Sequence, residues 1–142
     1  LADFDTCPTD VWGLVGTTQD APHLQSHFVG YRDGVLSSEV FARFWEDVRV
    51  EPSKRALIQR YEIGLSQLAM REGYVTVAHF PWQWTTSRGQ NPTSLRWHRL
   101  IDKGFPFVKR ELVLRPPPEV PDAADIERVV RQRWGQNVYE WV

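Results

Sequence analysis

EIGLSQLAMREGYVTV, residues 62–77, decides the fold, because within this run the apolar period changes from that of a helix to that of a strand. Leu57, Ile58, Tyr61, Leu65, Leu68 and Ala69 recur at helical spacing from a start at Ser53, with a break or bend predicted at Gly64. Gly73 ends the helix. Tyr74-Val75-Thr76-Val77-Ala78, rich in β-branched side chains, then reads as a strand.

Upstream, residues 11–16 (VWGLVG) and 27–32 (HFVGYR) are short apolar runs that read as strands, the second ending at the turn pair Asp33-Gly34. From Ser37-Ser38 a second helix is predicted, with Val40, Phe41, Phe44, Trp45 and Val48 on one face and Glu51-Pro52 as its stop. Downstream, residues 81–92 lack periodicity and form a loop. Thr93 is expected to cap a helix over Leu95, Trp97, Leu100 and Ile101 that closes at Gly104. Residues 105–114 read as a short helix or an extended arm. Pro116-Pro117-Pro118 forces an extended linker or brace, and residues 122–134 carry Ile126, Val129, Val130 and Trp134 on one side of a last helix.

These elements predict an α/β domain: a small mixed sheet with flanking helices over residues 1–115, followed by a Pro-rich linker and C-terminal helix over 116–142. At 142 residues one domain is expected, short for a nucleotide-sugar enzyme with separate donor and acceptor halves. Seventeen basic and eighteen acidic residues leave a net charge of -1, which argues against nucleic acid as a partner. The single cysteine, Cys7, rules out an internal disulfide framework or a cysteine-rich zinc site and fits a reducing cytosol. No apolar run is long enough to span a bilayer and the first residues lack signal-peptide order, so a soluble chain is expected. Seven Trp, seven Phe and four Tyr suit a core and suit sugar faces alike.

Several side chains are candidates for chemistry. His23 and Gln25, two residues apart on a strand, share one side, with Leu24 and Ser26 on the other. They would jointly hydrogen-bond a sugar or form a structural pair. Asp3-Phe4-Asp5 spells an Asp-x-Asp, but only Leu1 and Ala2 precede it where a metal-holding motif ends an apolar strand, so no metal is assigned to it. Lys109 and Arg110 would neutralise a leaving diphosphate or form a solvated pair with Glu111. Trp12-Gly13 is a sugar platform or core packing. Trp82 and Trp84 are acceptor contacts or loop anchors, and Asn91-Pro92-Thr93 is a helix entrance.

The carboxylate at Glu62, eleven residues before Gly73-Tyr74 and a strand, resembles the Glu-Asp-helix-Gly-Tyr segment of inverting glycosyltransferases. The segments DVWGLVG (10–16), HLQSHFVGYR (23–32), SSEVFARFWEDV (37–48), RYEIGLSQ (60–67) and NPTSLRWHRLIDKGFPFVKREL (91–112), in that order and with similar gaps, resemble the rhamnan synthesis F family. The resemblance implies the C-terminal half of a GT-A-like glycosyltransferase domain, with Glu62 as the general base and His23, Gln25, Trp12, Gly13, Lys109 and Arg110 as substrate contacts. It implies a nucleoside diphosphate sugar donor carrying rhamnose or a similar deoxysugar, and a glycan or lipid-linked glycan acceptor. The implied location is cytoplasmic, at the inner membrane face beside membrane-bound polysaccharide machinery. No cofactor is assigned within the chain. A divalent cation would be held by an upstream motif in a donor-binding half that this chain lacks. The family more often has Tyr where this chain has His27, so a metal pair of His23 and His27 is not expected, and His27 is read as a packed or half-exposed strand residue. The competing expectation is a non-catalytic carbohydrate-binding or assembly module, in which Trp12, Trp82 or Trp84 would be exposed and Glu62 solvated.

Overall fold

The computed structural model describes residues 6–140. Asp3-Phe4-Asp5 lies outside the described residues. The strand expected at 11–16 is β1, Val11–Thr17, whose alternate residues are buried. It pairs antiparallel with β2 (His23–Leu24) and with β3 (Val29–Tyr31), and parallel with β4 (Thr76–Phe80). The result is a small mixed sheet centred on β1, with helices in the connection from β3 to β4. Two glycines make β1 fit tightly. A Cβ on Gly13 would fall 2.8 Å from the Leu24 methyls and one on Gly16 would fall 2.9 Å from the Ala78 Cβ.

Asp33-Gly34, expected as a turn, instead opens α1 (Asp33–Leu36), while Ser38 caps α2 (Glu39–Glu46) by accepting from the Phe41 N–H. α2 ends at Glu46, short of Glu51-Pro52. Phe41 is buried, whereas Trp45 and Val48 are exposed, so the apolar stripe is wider than the surface the sheet can cover. Ser53 caps α3 (Lys54–Leu57), which runs into a π-helical segment, Ile58–Ile63, and then α4 (Gly64–Arg71). Gly64 therefore does not break the helix. It closes the π segment, its N–H donating to the Gln59 carbonyl, and a Cβ there would sit 3.4 Å from that oxygen. Gly73, at φ 80°, stops α4 as expected, and β4 begins two residues later than Tyr74.

Asn91, not Thr93, caps the next helix, with Pro92 at its first position. The single helix expected there is two, α5 (Pro92–Leu95) and α6 (Trp97–Asp102), separated at Arg96. Residues 105–114 are an arm ending in α7 (Arg110–Leu114). The proline run leads into a turn closed by the Val120 N–H on the Pro117 carbonyl. The last helix is a 3-10 turn, Pro121–Asp125, followed by α8 (Ile126–Trp134), and ends at Gly135 in the left-handed region.

Three apolar clusters hold these parts. Val11, Leu24, Val35, Phe41, Leu65 and Ala69 join the sheet to α1, α2 and α4. Val15, Phe80, Leu100 and Phe105 join the sheet to α6. Trp97, Ile101 and Leu112 pack with Val120, Ile126 and Val130, so the segment after the prolines shares a core with α6 and α7.

Candidate functional site

The register of the π segment and α4 against β2 and the turn that follows it builds the site. Glu62 and Ser66 are one helical turn apart, about 6 Å. Leu24 and Ser26 are two residues apart on an extended segment, about 6.6 Å. The matching rises let the Leu24 N–H donate to Ser66 Oγ (3.1 Å) and the Ser26 N–H donate to Glu62 Oε2 (3.2 Å). Helix side chains thus take the place of a neighbouring strand along this edge. The chain turns at Ser26-His27, and that turn brings the Ser26 hydroxyl onto Glu62 Oε2 as well. Ser26 was expected to face away from His23. The turn, which alternation along a strand does not anticipate, aims both residues at Glu62, and it places His27 in the turn rather than in a strand.

His23 Nδ1 lies 2.8 Å from the Ala21 carbonyl, which only accepts, so Nδ1 carries a proton. Nε2 is then left facing Glu62 Oε1 at 3.3 Å, a contact that attracts only with a proton on that axis. Burial alone would raise the Glu62 pKa. The hydrogen bonds from His23 and from the Ser26 hydroxyl and N–H, with the His23 charge, outweigh it and hold the carboxyl down at about 2. Its side chain keeps 20% exposure, enough to be reached from the cleft.

That cleft is open, has a volume of about 800 Å³, and is lined among others by His23, Gln25, Glu62, Asn91, Lys109 and Arg110. Five of the seven sequence candidates therefore meet on one surface. Gln25 is fixed by a relay: the Thr93 N–H needs an acceptor, which sets Asn91 Oδ1, and that oxygen also takes the Gln25 Nε2–H at 3.0 Å. The Asn91 amide in turn donates to Gln19. Gln25 Oε1, buried, is left without a partner among the described residues. Opposite, Lys109 donates to Ser94 Oγ (2.9 Å). Burial lowers its pKa, Glu111 and Glu62 raise it, and Lys54 lowers it further. A partly desolvated ammonium beside exposed Arg110 is suited to an anion entering the cleft.

Trp12 and Gly13 do not line the cleft. Gly13 is buried against Leu24, and Trp12 lies edge-to-face with Phe28 in a separate depression of about 290 Å³ that also involves His79 and Phe107. Trp84 is exposed at 56% with the Lys103 ammonium over its ring, while Trp82 is half-buried. Ser26 and Asn91 are site residues that pattern reading missed. The Asn-Pro helix entrance was the only local signal for Asn91. Among the described residues no three His, Cys, Asp or Glu side chains come together as a metal ligand set.

A small mixed sheet flanked by helices, with a carboxylate, two amide side chains and two cations around one cleft, defines an α/β protein with a polar cleft beside its sheet. The chain belongs to the rhamnan synthesis protein F family, whose model matches residues 3–132. The family's description ties its members to the synthesis of rhamnan, a polysaccharide. It is similar to the virulence protein VirA of Vibrio anguillarum, including that of strain ATCC 68554 / 775, at 22% identity over 159 residues. The match takes in 91% of this chain and 51% of VirA, so the chain spans about half the length of the curated relatives it matches. No solved structure matches. Among the described residues no helix is long and apolar enough to cross a membrane.

Proposed function

We propose that this chain is the acceptor-side, base-bearing portion of an inverting, GT-A-like glycosyltransferase that moves rhamnose or a similar deoxysugar from a nucleoside diphosphate onto a growing glycan. The observation that carries the reading is Glu62, kept ionised by His23 and Ser26 on the wall of the open cleft of about 800 Å³. An acceptor hydroxyl is a poor nucleophile at neutral pH until a placed carboxylate takes its proton. In the step, the hydroxyl proton passes to Glu62 as the oxygen bonds to the anomeric carbon, and the bond from that carbon to the diphosphate breaks with its electron pair leaving on the phosphate.

A carboxyl held at about 2 is a weak base at rest. Proton transfer is therefore favourable only as the new bond forms and the hydroxyl becomes acidic. An entering hydroxyl that displaces the Ser26 hydroxyl from Oε2 would remove one of the bonds that depress Glu62 and strengthen the base when substrate is present. Gln25 and His23 on the cleft wall would orient the acceptor, and Lys109 with Arg110 would offset charge growing on the diphosphate. A divalent cation, if used, would be held by residues outside this chain and would neutralise the same diphosphate.

The test is a transfer assay on the parent-length protein with a panel of nucleotide sugars, beside Glu62→Gln. Loss of transfer with glycan binding retained supports the base. Near-normal turnover removes it, and a full-length protein that binds glycan without transferring sugar favours the carbohydrate-binding module.

A further inference from the structure

A second, smaller cavity of about 230 Å³ opens beside the cleft, lined by His27, Thr93, Phe105, Phe107, Val108 and Lys109. His27 and Lys109 line both spaces, so the two are adjacent across those side chains. His27, Phe105 and Phe107 stand nearly perpendicular to one another, at 84°, 77° and 76° between pairs, with centroids 5.7 to 6.3 Å apart. They form an angular cup of ring faces and edges. Phe107 is 49% exposed at its rim, although a side chain of this type gains by burial, and the turn and arm that hold these rings leave it there.

On these grounds we propose that the cup is a sugar subsite, one that binds the residue of the acceptor glycan next to the one whose hydroxyl faces Glu62. The assignment rests on the reading of the cleft as the acceptor site. The C–H face of a pyranose packs on aromatic rings, and its hydroxyls need donors and acceptors at the edge. Both are present. The Lys109 ammonium has three hydrogens, of which Ser94 takes one, and burial lowers the His27 pKa, with Lys109 lowering it further and Glu62 raising it, which favours a neutral ring with an acceptor nitrogen. A lipid chain fits less well, because it would need a longer, uniformly apolar channel and would lie against the ammonium at the mouth. Phe107 also borders the depression containing Phe28, which extends the aromatic surface away from the cleft, as a polymeric acceptor would need.

The experiment uses the parent-length protein with Phe107→Ala and Phe107→Trp, and compares a methyl rhamnoside with a rhamnan trisaccharide as acceptors. Phe107 is half exposed, so its truncation leaves the fold intact, which a thermal melt verifies. A subsite makes the wild type prefer the trisaccharide in kcat/KM. The alanine variant loses about three- to tenfold of that preference through KM, and tryptophan restores it. Equal changes for both acceptors, or none, would overturn the subsite while leaving Glu62 in place. If the wild type transfers no sugar, the parent reading fails. Trisaccharide binding followed by saturation-transfer NMR then decides the cup alone: binding weakened by Phe107→Ala upholds it, whereas no binding, or binding of a prenyl phosphate in its place, refutes it.

Discussion

Ser26 holds one oxygen of Glu62 twice, through its backbone N–H at 3.2 Å and through its hydroxyl. The N–H contact survives replacement of Ser26 by alanine, whereas the hydroxyl contact does not. One residue therefore anchors the carboxylate structurally and also sets its basicity, and the two effects can be separated.

Ser26→Ala removes the hydroxyl donor and keeps the N–H. The Glu62 pKa should rise from about 2 toward its ordinary 4.5. A carbon-detected NMR titration of the Glu62 carboxyl reads this directly, and a titration curve that does not move would refute the role given to the hydroxyl.

Glu62→Gln should be tolerated structurally and be deficient chemically. The Gln oxygen still accepts from the Ser26 N–H, which keeps the side chain anchored. Loss of transfer by about 10² or more, with a melting temperature near the wild type, is expected. A large drop in stability with activity retained per folded molecule would contradict this.

Acid should weaken the fold through the same group. A carboxyl depressed in the folded state stabilises fully above its unfolded pKa and loses that contribution as pH falls through the folded one. The window is therefore from about pH 4.5 down to about pH 2. Discounted for the 20% exposure of the side chain, the loss is about 2 kcal/mol. Urea denaturation across that range should show the loss in the wild type and a shallower slope in Glu62→Gln.

Asn91→Ala should be more costly than a helix cap alone. It removes the acceptor of the Thr93 N–H, typically about 1 kcal/mol, and leaves the buried Gln25 amide unpaired, a further 1–3 kcal/mol or so. Asn91→Asp keeps the shared acceptor oxygen and should recover most of the loss in the denaturation midpoint.

Gly13→Ala should destabilise by about 1–3 kcal/mol, because its Cβ would stand 2.9 Å from the Leu24 Cβ, which cannot rotate away. Unchanged stability would show that β1 and β2 are less tightly packed than described.

The sequence by itself determined the elements whose causes are local: the period change after Gly73, the helix starts at Ser38 and Ser53, the glycine stops at Gly73 and Gly104, and the mixed α/β class. It also placed Glu62, His23, Gln25, Lys109 and Arg110 on the page as candidates. Tertiary structure alone decided that these five share a cleft and that Trp12 and Gly13 stand outside it. It alone decided that Ser26 turns back onto a residue 36 positions away and that Gln25 is oriented by an asparagine 66 positions away. The π segment before Gly64 and the division of one expected helix at Arg96 belong to the same group. The physical reason is range. Caps, periods and glycine angles are fixed by neighbours within a turn or two. The pairing of a carboxylate with its donors depends on how a helix and a strand, each unexceptional in sequence, come to lie side by side.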